Sequence, residues 1–197
     1  MSPKDIPNLL SLFRILITLP VLYALLEREF WWALTGFAIA GVSDGLDGFL
    51  AKHYGWQSRL GGLLDPLADK VLLVGVLLVL GRIGLLPAWL VVMAVLRDLM
   101  IVGGGLIYHY QIEALQAMPS RISKFNTFLQ ITLVLVVVAH AGPLRGLADW
   151  IITALIGITA MAILWSGLDY VLAWSRRAAR KGWKVSGPGQ DAGPRMN

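Results

Sequence analysis

Cysteine is absent from this chain, and charge is scarce: of 197 residues only 15% are charged and three are histidines. Without cysteine there can be no disulfide and no thiolate metal site. The three histidines also lack the spacing of metal ligands. What is abundant is apolar, with 57% hydrophobic residues and eight tryptophans. A soluble domain of this size is rarely so apolar, so the composition predicts an integral membrane protein.

The net charge of +5 does not indicate a nucleic-acid partner. The basic residues cluster at loop ends and at the C-terminus, where anionic head groups of membrane lipids attract them. We therefore expect membrane lipids as partners and no nucleic acid.

Apolar runs divide the chain into six segments, each near the roughly 20 residues that a membrane-spanning helix needs. They lie at about residues 9–26, 30–51, 63–81, 87–108, 125–140 and 150–173. This pattern predicts an all-α integral membrane protein with six transmembrane helices in one domain, 1–185. The Gly- and Pro-containing tail, 186–197, is expected to be disordered.

The distribution of lysine and arginine predicts the orientation. Most of them lie with both termini and the loops 52–60 and 109–124 on one side, which the positive-inside rule places in the cytoplasm. The expected location is a bacterial inner membrane, with the active site facing the cytoplasm.

Two pairs of aspartates interrupt the apolar sequence. Asp44 and Asp47 are three residues apart near the end of the second span, and Asp65 and Asp69 are four apart at the start of the third. Each pair shares one helical face. Because a short loop joins the two helices, they are expected to pack as antiparallel neighbours with the four carboxylates converging. One carboxylate inside a membrane costs about 2.5 to 3.5 kcal/mol, so the cluster needs a compensating cation. Oxygen donors suit Mg²⁺, Mn²⁺ or Ca²⁺, which predicts a metal site at the cytoplasmic ends of helices 2 and 3.

The same residues resemble a family signature. The chain contains D-G-L-D-G-F-L-A-K, eight further residues, and then G-G-L-L-D-P-L-A-D. This is similar to the pattern of the CDP-alcohol phosphatidyltransferases, D-x-x-D-G-x-x-A-R followed by G-x-x-x-D-x-x-x-D. The one departure is Lys52, which stands where the family usually has arginine and keeps the charge without the two-pronged hydrogen-bonding geometry.

The resemblance implies that a phosphatidyl group passes from CDP-diacylglycerol to an alcohol, with release of CMP, in a six-helix protein that pairs as a homodimer. It implies that Asp44, Asp47 and Asp65 hold divalent metal, and that Asp69 is a further ligand or the catalytic base. The donor-binding positions that it implies are Gly48, Ala51, Lys52 and Gly61.

Residues for the acceptor or its phosphate are less sharply indicated. Asn8 and Arg14 resemble the family's amino-terminal element P-N-x-x-[ST]-x-x-R, although Asn8 can instead cap a helix and Arg14 can instead extend to the membrane interface. Arg97 binds an acceptor phosphate or neutralises Asp98. Two cytoplasmic cations complete this set, Arg121 and Lys124, and an anionic lipid contact is the alternative for Lys124. Lys70 is expected to balance the aspartate cluster.

The choice of acceptor depends on two strings, V-L-R-D-L-M-I and I-S-K-F-N-T-F-L-Q. Both resemble the cardiolipin-forming members of the family, so the expected acceptor is phosphatidylglycerol and the alternative is glycerol 3-phosphate. The resemblance covers residues 7 to about 130. A cation transporter is the alternative of another class, and the absence of an inverted repeat in the sequence argues against it.

Overall fold

The structure is a computed structural model that describes residues 6–54, 61–111, 121–144 and 148–180. Within these ranges the side chains at 6–8, 47–48, 50–52, 61–66, 102, 104–111, 121 and 173–180 are not described. The described chain forms six helices, which are α1 (Ile6–Leu26), α2 (Phe30–Tyr54), α3 (Gly61–Arg82), α4 (Ala88–Gln111), α5 (Arg121–Ala141) and α6 (Asp149–Arg180). The predicted all-α class is confirmed, and the expected tail at 186–197 lies outside the described residues.

Three helices in the described part of the chain are long and apolar enough to cross a membrane. They contain the segments Leu9–Leu26, Ile122–Ala141 and Asp149–Leu172. Large apolar side chains point outward along the bundle, among them Trp32 at 71% exposed and Leu19 at 68%. An apolar exterior of this kind suits a lipid environment.

Several helices extend beyond the spans expected from the sequence. Helix α5 begins at Arg121, so Lys124 lies in its first turns and not in a loop. Helix α2 continues to Tyr54 and therefore includes Lys52. Helix α4 continues to Gln111 and runs without a break through the three glycines 103–105.

Helix α1 lies between α2 and α3. Its most extensive contacts are with these two helices, and the described residues show no comparable contact of α2 with α3. The glycines at the two interfaces explain the fit: a Cβ on Gly36 of α2 would lie 2.6 Å from Val21, and one on Gly75 of α3 would lie 3.1 Å from Leu22. Among the described residues α2 and α3 therefore do not pack directly against each other as expected, because α1 occupies the space between them.

The second half of the bundle packs around α5 and α6. These helices contact each other extensively, and α4 packs on α6 and on α3. Helix α5 also contacts α2, and directly after the end of α5 a Cβ on Gly142 would collide with Phe30. Within the described ranges an apolar core joins all six helices, with Leu25, Leu80 and Leu133 fully buried in it.

The close contact at Gly36 predicts a sensitive position. Gly36→Ala places a methyl group against Val21, whose β-branched side chain cannot rotate away freely. We expect a loss of stability of about 1–3 kcal/mol, as for other overpacked sites. Gly41→Ala is the matched control in the same helix, because nothing lies within 4 Å of its Cβ.

Unfolding followed by circular dichroism in detergent measures the difference between these two variants. Adding Val21→Ala to Gly36→Ala should restore part of the lost stability. Equal stability of Gly36→Ala and Gly41→Ala would contradict the packing described for α1.

Candidate functional site

Arg14 joins two aspartates of the predicted motif. Its Nη1 atom lies 3.0 Å from Oδ1 of Asp44 and 2.5 Å from Oδ1 of Asp69. The arginine side chain is 1% exposed, whereas the two carboxylates are 50% and 48% exposed. Three helices thus contribute to one charged group, which we call the carboxylate site: Arg14 from α1, Asp44 from α2 and Asp69 from α3.

The helix register explains why these residues meet. Contacts of Val21 with Gly36 and of Arg14 with Asp44 make α1 antiparallel to α2, since the residue numbers run in opposite directions. On α3 the contacts at Gly75 and Asp69 follow the direction of α1, so these two helices are parallel. Hence α2 and α3 run antiparallel, as predicted, and their aspartates meet at the level of Arg14.

Arg14 lies on a polar face of α1. Ser11, Arg14 and Thr18 recur every three or four residues, which places them on one side of the helix, and all three are buried. The Thr18 hydroxyl donates a hydrogen bond of 2.7 Å to the backbone carbonyl of Arg14. The placement of Arg14 beside the carboxylates differs from an extension to the membrane interface, which was the alternative considered for it.

The other motif residues are only partly visible. Asn8, Asp47, Gly48, Ala51, Lys52, Gly61, Asp65 and Arg121 lie on described helices, but their side chains are outside the described part. Among the side chains that are described, no group of three or more histidine or acidic ligands is gathered. The structure therefore brings two of the four predicted metal ligands together, and the complete metal site stays a prediction.

A second charged group lies between α3, α4, α5 and α6. Arg97 Nη1 is 2.7 Å from Oδ1 of Asp98, and Lys70 Nζ is 2.6 Å from Oδ2 of the same carboxylate. The Arg97 guanidinium also donates hydrogen bonds to Ser123 at 2.7 Å and to Ser166. We call these five residues the Arg97 network. It adjoins the carboxylate site because Asp69 and Lys70 are consecutive in α3.

The partners of Arg97 bear on its role. The side chain is 4% exposed, and Asp98, Ser123 and Ser166 accept hydrogen bonds from it. This arrangement suits the interpretation in which Arg97 neutralises Asp98 better than one in which it binds an acceptor phosphate. Lys70 was expected to balance the aspartate cluster, and this is corrected: it pairs with Asp98 on the neighbouring helix.

The first turns of α5 present two different faces. Lys124 is exposed on the outer face. Ser123, Asn126 and Gln130 are buried on the inner face, and the amide groups of Asn126 and Gln130 have no hydrogen-bond partner among the described atoms. The string I-S-K-F-N-T-F-L-Q, which resembles the cardiolipin-forming members of the family, therefore directs its two amide side chains into the bundle.

Sequence reasoning missed Ser166 and the pairing of Asp98 with Lys70. Ser166 is flanked by apolar residues in α6, and its 0% exposure is what distinguishes it from a lipid-facing residue. Polar residues that recur at helical spacing within apolar spans are the signal that could have found the network. Which helices meet at those residues depends on the packing of the bundle.

A family model for CDP-alcohol phosphatidyltransferases matches residues 4–171. The chain belongs to this family. The resemblance drawn from the aspartate motifs is thereby confirmed, and the match extends beyond residue 130 into α6, the helix that provides Ser166. CDP-alcohol phosphatidyltransferases are membrane-associated enzymes, which agrees with the apolar exterior of the bundle.

Individual relatives differ in the acceptor that their names imply. Rat cardiolipin synthase (CMP-forming) is 39% identical over 165 residues, which cover 75% of this chain and 54% of the rat protein. A probable phosphatidylglycerophosphate synthase of Mycobacterium tuberculosis is 31% identical over 177 residues, 85% of this chain and 80% of that protein. A rice chloroplast CDP-diacylglycerol–glycerol-3-phosphate 3-phosphatidyltransferase is 37% identical over 150 residues, 66% of this chain and 45% of that protein. The chain spans about half the length of the cardiolipin synthases that it matches.

The Arg97 network predicts that Asp98 contributes strongly to the stability of the fold. Asp98→Asn removes the charge that neutralises both Arg97 and Lys70, and breaking a buried ion pair from one side costs about 3–5 kcal/mol. Asp149→Asn is the control, since its carboxylate is 95% exposed. Thermal unfolding in detergent should show a large loss for Asp98→Asn and little change for the control. A variant Asp98→Asn as stable as wild type would mean that the network does not hold these helices together.

Proposed function

We propose that this protein transfers a phosphatidyl group from CDP-diacylglycerol to phosphatidylglycerol, forming cardiolipin and CMP. Family membership supports the donor and the leaving group. The observation that carries the choice of acceptor is the pairing of the buried arginines with aspartates. Phosphatidylglycerophosphate synthesis with glycerol 3-phosphate as acceptor is the alternative, supported by the relatives from Mycobacterium tuberculosis and rice.

Few cations near the site are left to bind an anionic acceptor, which favours an acceptor with a single negative charge. Arg14 contacts Asp44 and Asp69, and Arg97 contacts Asp98, so both buried arginines already have carboxylate partners. Glycerol 3-phosphate has a largely dianionic phosphomonoester, whereas phosphatidylglycerol has a monoanionic diester. Recognition of the dianion requires more cations. We therefore assign acceptor binding to the cations at the start of α5, Arg121 and Lys124, with Asn8 as a further candidate, and assign Arg97 to neutralisation of Asp98.

The reaction is a displacement at phosphorus. A hydroxyl oxygen of the acceptor forms a bond to the phosphorus that carries diacylglycerol, the bond from that phosphorus to CMP breaks, and the hydroxyl proton must be taken up. Asp69 is our candidate for the base, because its carboxylate is half exposed at the edge of the bundle while Arg14 holds it in place. Gly48, Ala51, Lys52 and Gly61 are assigned to the donor, with Lys52 as the cation for its phosphates.

The carboxylates of the motif fit a divalent metal. The carboxylates of Asp44 and Asp69 come from different helices and meet around one guanidinium nitrogen, so their spacing already accommodates a cation. Carboxylate oxygens are the ligands that Mg²⁺, Mn²⁺ and Ca²⁺ prefer. We propose that Asp44, Asp47, Asp65 and Asp69 hold this metal. When bound, it would screen the negative charge of the donor's pyrophosphate and help align the reacting groups.

We also propose that all six helices cross the membrane, with both termini and the site in the cytoplasm. Each helix has at least 21 residues, close to the length that the hydrocarbon core requires. The alternating directions of α1, α2 and α3 support this topology. The homodimer remains an expectation from the family resemblance, and the bacterial inner membrane remains a prediction from the sequence.

A comparison of two acceptors tests the proposed reaction. Purified protein in detergent, supplied with CDP-diacylglycerol and Mg²⁺, should release CMP with phosphatidylglycerol and little with glycerol 3-phosphate at equal concentration. Lipid chromatography should show a product with four acyl chains. Faster CMP release with glycerol 3-phosphate would replace the proposal by its alternative. No CMP release with either acceptor, together with cation flux in proteoliposomes, would indicate a transporter.

The four aspartates can be tested one at a time. Asp44→Asn, Asp47→Asn, Asp65→Asn and Asp69→Asn nearly preserve side-chain shape and remove the charge, so each should lower turnover by orders of magnitude. Asp149→Asn, at the exposed start of α6, should not. Chelation with EDTA should abolish wild-type turnover, and Mg²⁺ should restore it. A variant that keeps more than about a tenth of the activity, a change of under about 1.4 kcal/mol in the barrier, would remove that residue from the mechanism.

A further inference from the structure

Arg14 differs from the other cations near the carboxylate site in how it is held. Its side chain is 1% exposed and lies on a buried polar face of α1, and one nitrogen contacts aspartates of two other helices. About half of each aspartate side chain remains exposed, so each carboxylate can contact Arg14 and a second partner at once. An arginine so enclosed has little access to a lipid phosphate.

Because α1 lies between α2 and α3, the contact of Arg14 with Asp44 and Asp69 affects how far apart these two aspartates are. Within the described residues α2 and α3 have no extensive contact with each other, and both pack on α1. Val21 and Leu22 lie against Gly36 and Gly75, which fixes the register of all three helices. Arg14 is seven residues from Val21, or about 10 Å along the same helix. The distance between Asp44 and Asp69 is therefore set through α1.

We propose that Arg14 is a positioning residue that sets the spacing and orientation of Asp44 and Asp69 for a divalent cation. It contacts the two carboxylates on their buried side, and the exposed side of each carboxylate receives the metal. This inference rests on the proposed function, because it takes the two aspartates to be metal ligands. It replaces the interpretation of Arg14 as a residue that binds the acceptor phosphate.

The sign of the effect on metal affinity separates positioning from simple charge balance. If Arg14 only neutralised the aspartates, its removal would take away one cation that competes with the metal for the two carboxylates, and a divalent metal would bind more tightly. If Arg14 positions them, its removal lets α2 and α3 carry their carboxylates apart, and the metal binds more weakly. Loss of a residue that orients metal ligands typically costs about 10- to 100-fold in metal affinity.

Binding of Mn²⁺ alone, without either lipid, provides the test. We would titrate the purified protein in detergent and follow free Mn²⁺ by electron paramagnetic resonance. Arg14→Met should weaken binding by about 10- to 100-fold, and Arg14→Lys should fall between Arg14→Met and wild type because it keeps the charge but not the planar guanidinium. Arg82→Met is the matched control, since it removes an exposed arginine at the opposite end of α3.

A second perturbation reaches the same site without changing any charge. Gly36→Ala forces α1 away from α2 at Val21 and should also weaken Mn²⁺ binding, and Val21→Ala in the same chain should restore it in part. If Arg14→Met does not fold, Arg14→Lys and Gly36→Ala decide the matter. Size-exclusion chromatography and circular dichroism identify the folded variants.

Each outcome distinguishes this inference from the proposed function. Weaker Mn²⁺ binding in folded Arg14→Met, with the Arg82→Met control unchanged, supports positioning. Equal or tighter binding in folded Arg14→Met, or wild-type affinity in both Arg14→Lys and Gly36→Ala, overturns the inference and leaves the proposed reaction intact. A wild-type protein that does not bind Mn²⁺ overturns the metal role of the aspartates, and the inference with it.

Discussion

A buried guanidinium group among apolar helices needs a carboxylate, and the pairing of Arg14 with Asp44 and Asp69 meets that need. Removing such a charge from water without a partner costs several kcal/mol, so the ion pair constrains where α1, α2 and α3 can lie. The arginine in turn stabilises the close approach of the two carboxylates. Two carboxylates from different helices repel each other at close range, and the arginine between them allows the approach that a shared ligand requires.

The two charged groups together form one polar layer across the bundle. Arg14, Asp44, Asp69, Lys70, Arg97 and Asp98 carry formal charges that cancel, and Ser123 and Ser166 bring α5 and α6 to the same level. Asp47 and Asp65 then add two negative charges to the motif, which is the charge of one divalent cation. This balance connects the structural role of the layer with the proposed metal chemistry. The six charged residues of the layer neutralise one another, and the two negative charges of Asp47 and Asp65 are left to be balanced by a divalent cation.

Patterns local in the sequence were the most predictable part of the molecule. Apolar runs indicated six helices, and the spacing of Asp44, Asp47, Asp65 and Asp69 indicated the family. The partner of each cation could not be predicted, because it depends on which helices are neighbours and on their register. Lys70 illustrates this: its position beside Asp69 suggested the aspartate cluster, yet rotation about α3 directs it to Asp98. Likewise, the need for glycine at position 36 is recognisable only once Val21 is seen to lie against it.

The central claim is that Arg14 and the motif aspartates form one preorganised site. Its most direct test is an experimental structure of the protein with Mn²⁺ and CDP-diacylglycerol, in which anomalous scattering locates the metal. The account predicts an anomalous peak bound by the carboxylates of Asp44 and Asp69, with the Arg14 guanidinium still in contact with both. A peak at another position, or an Arg14 side chain turned away from both aspartates to bind a lipid phosphate, would contradict it.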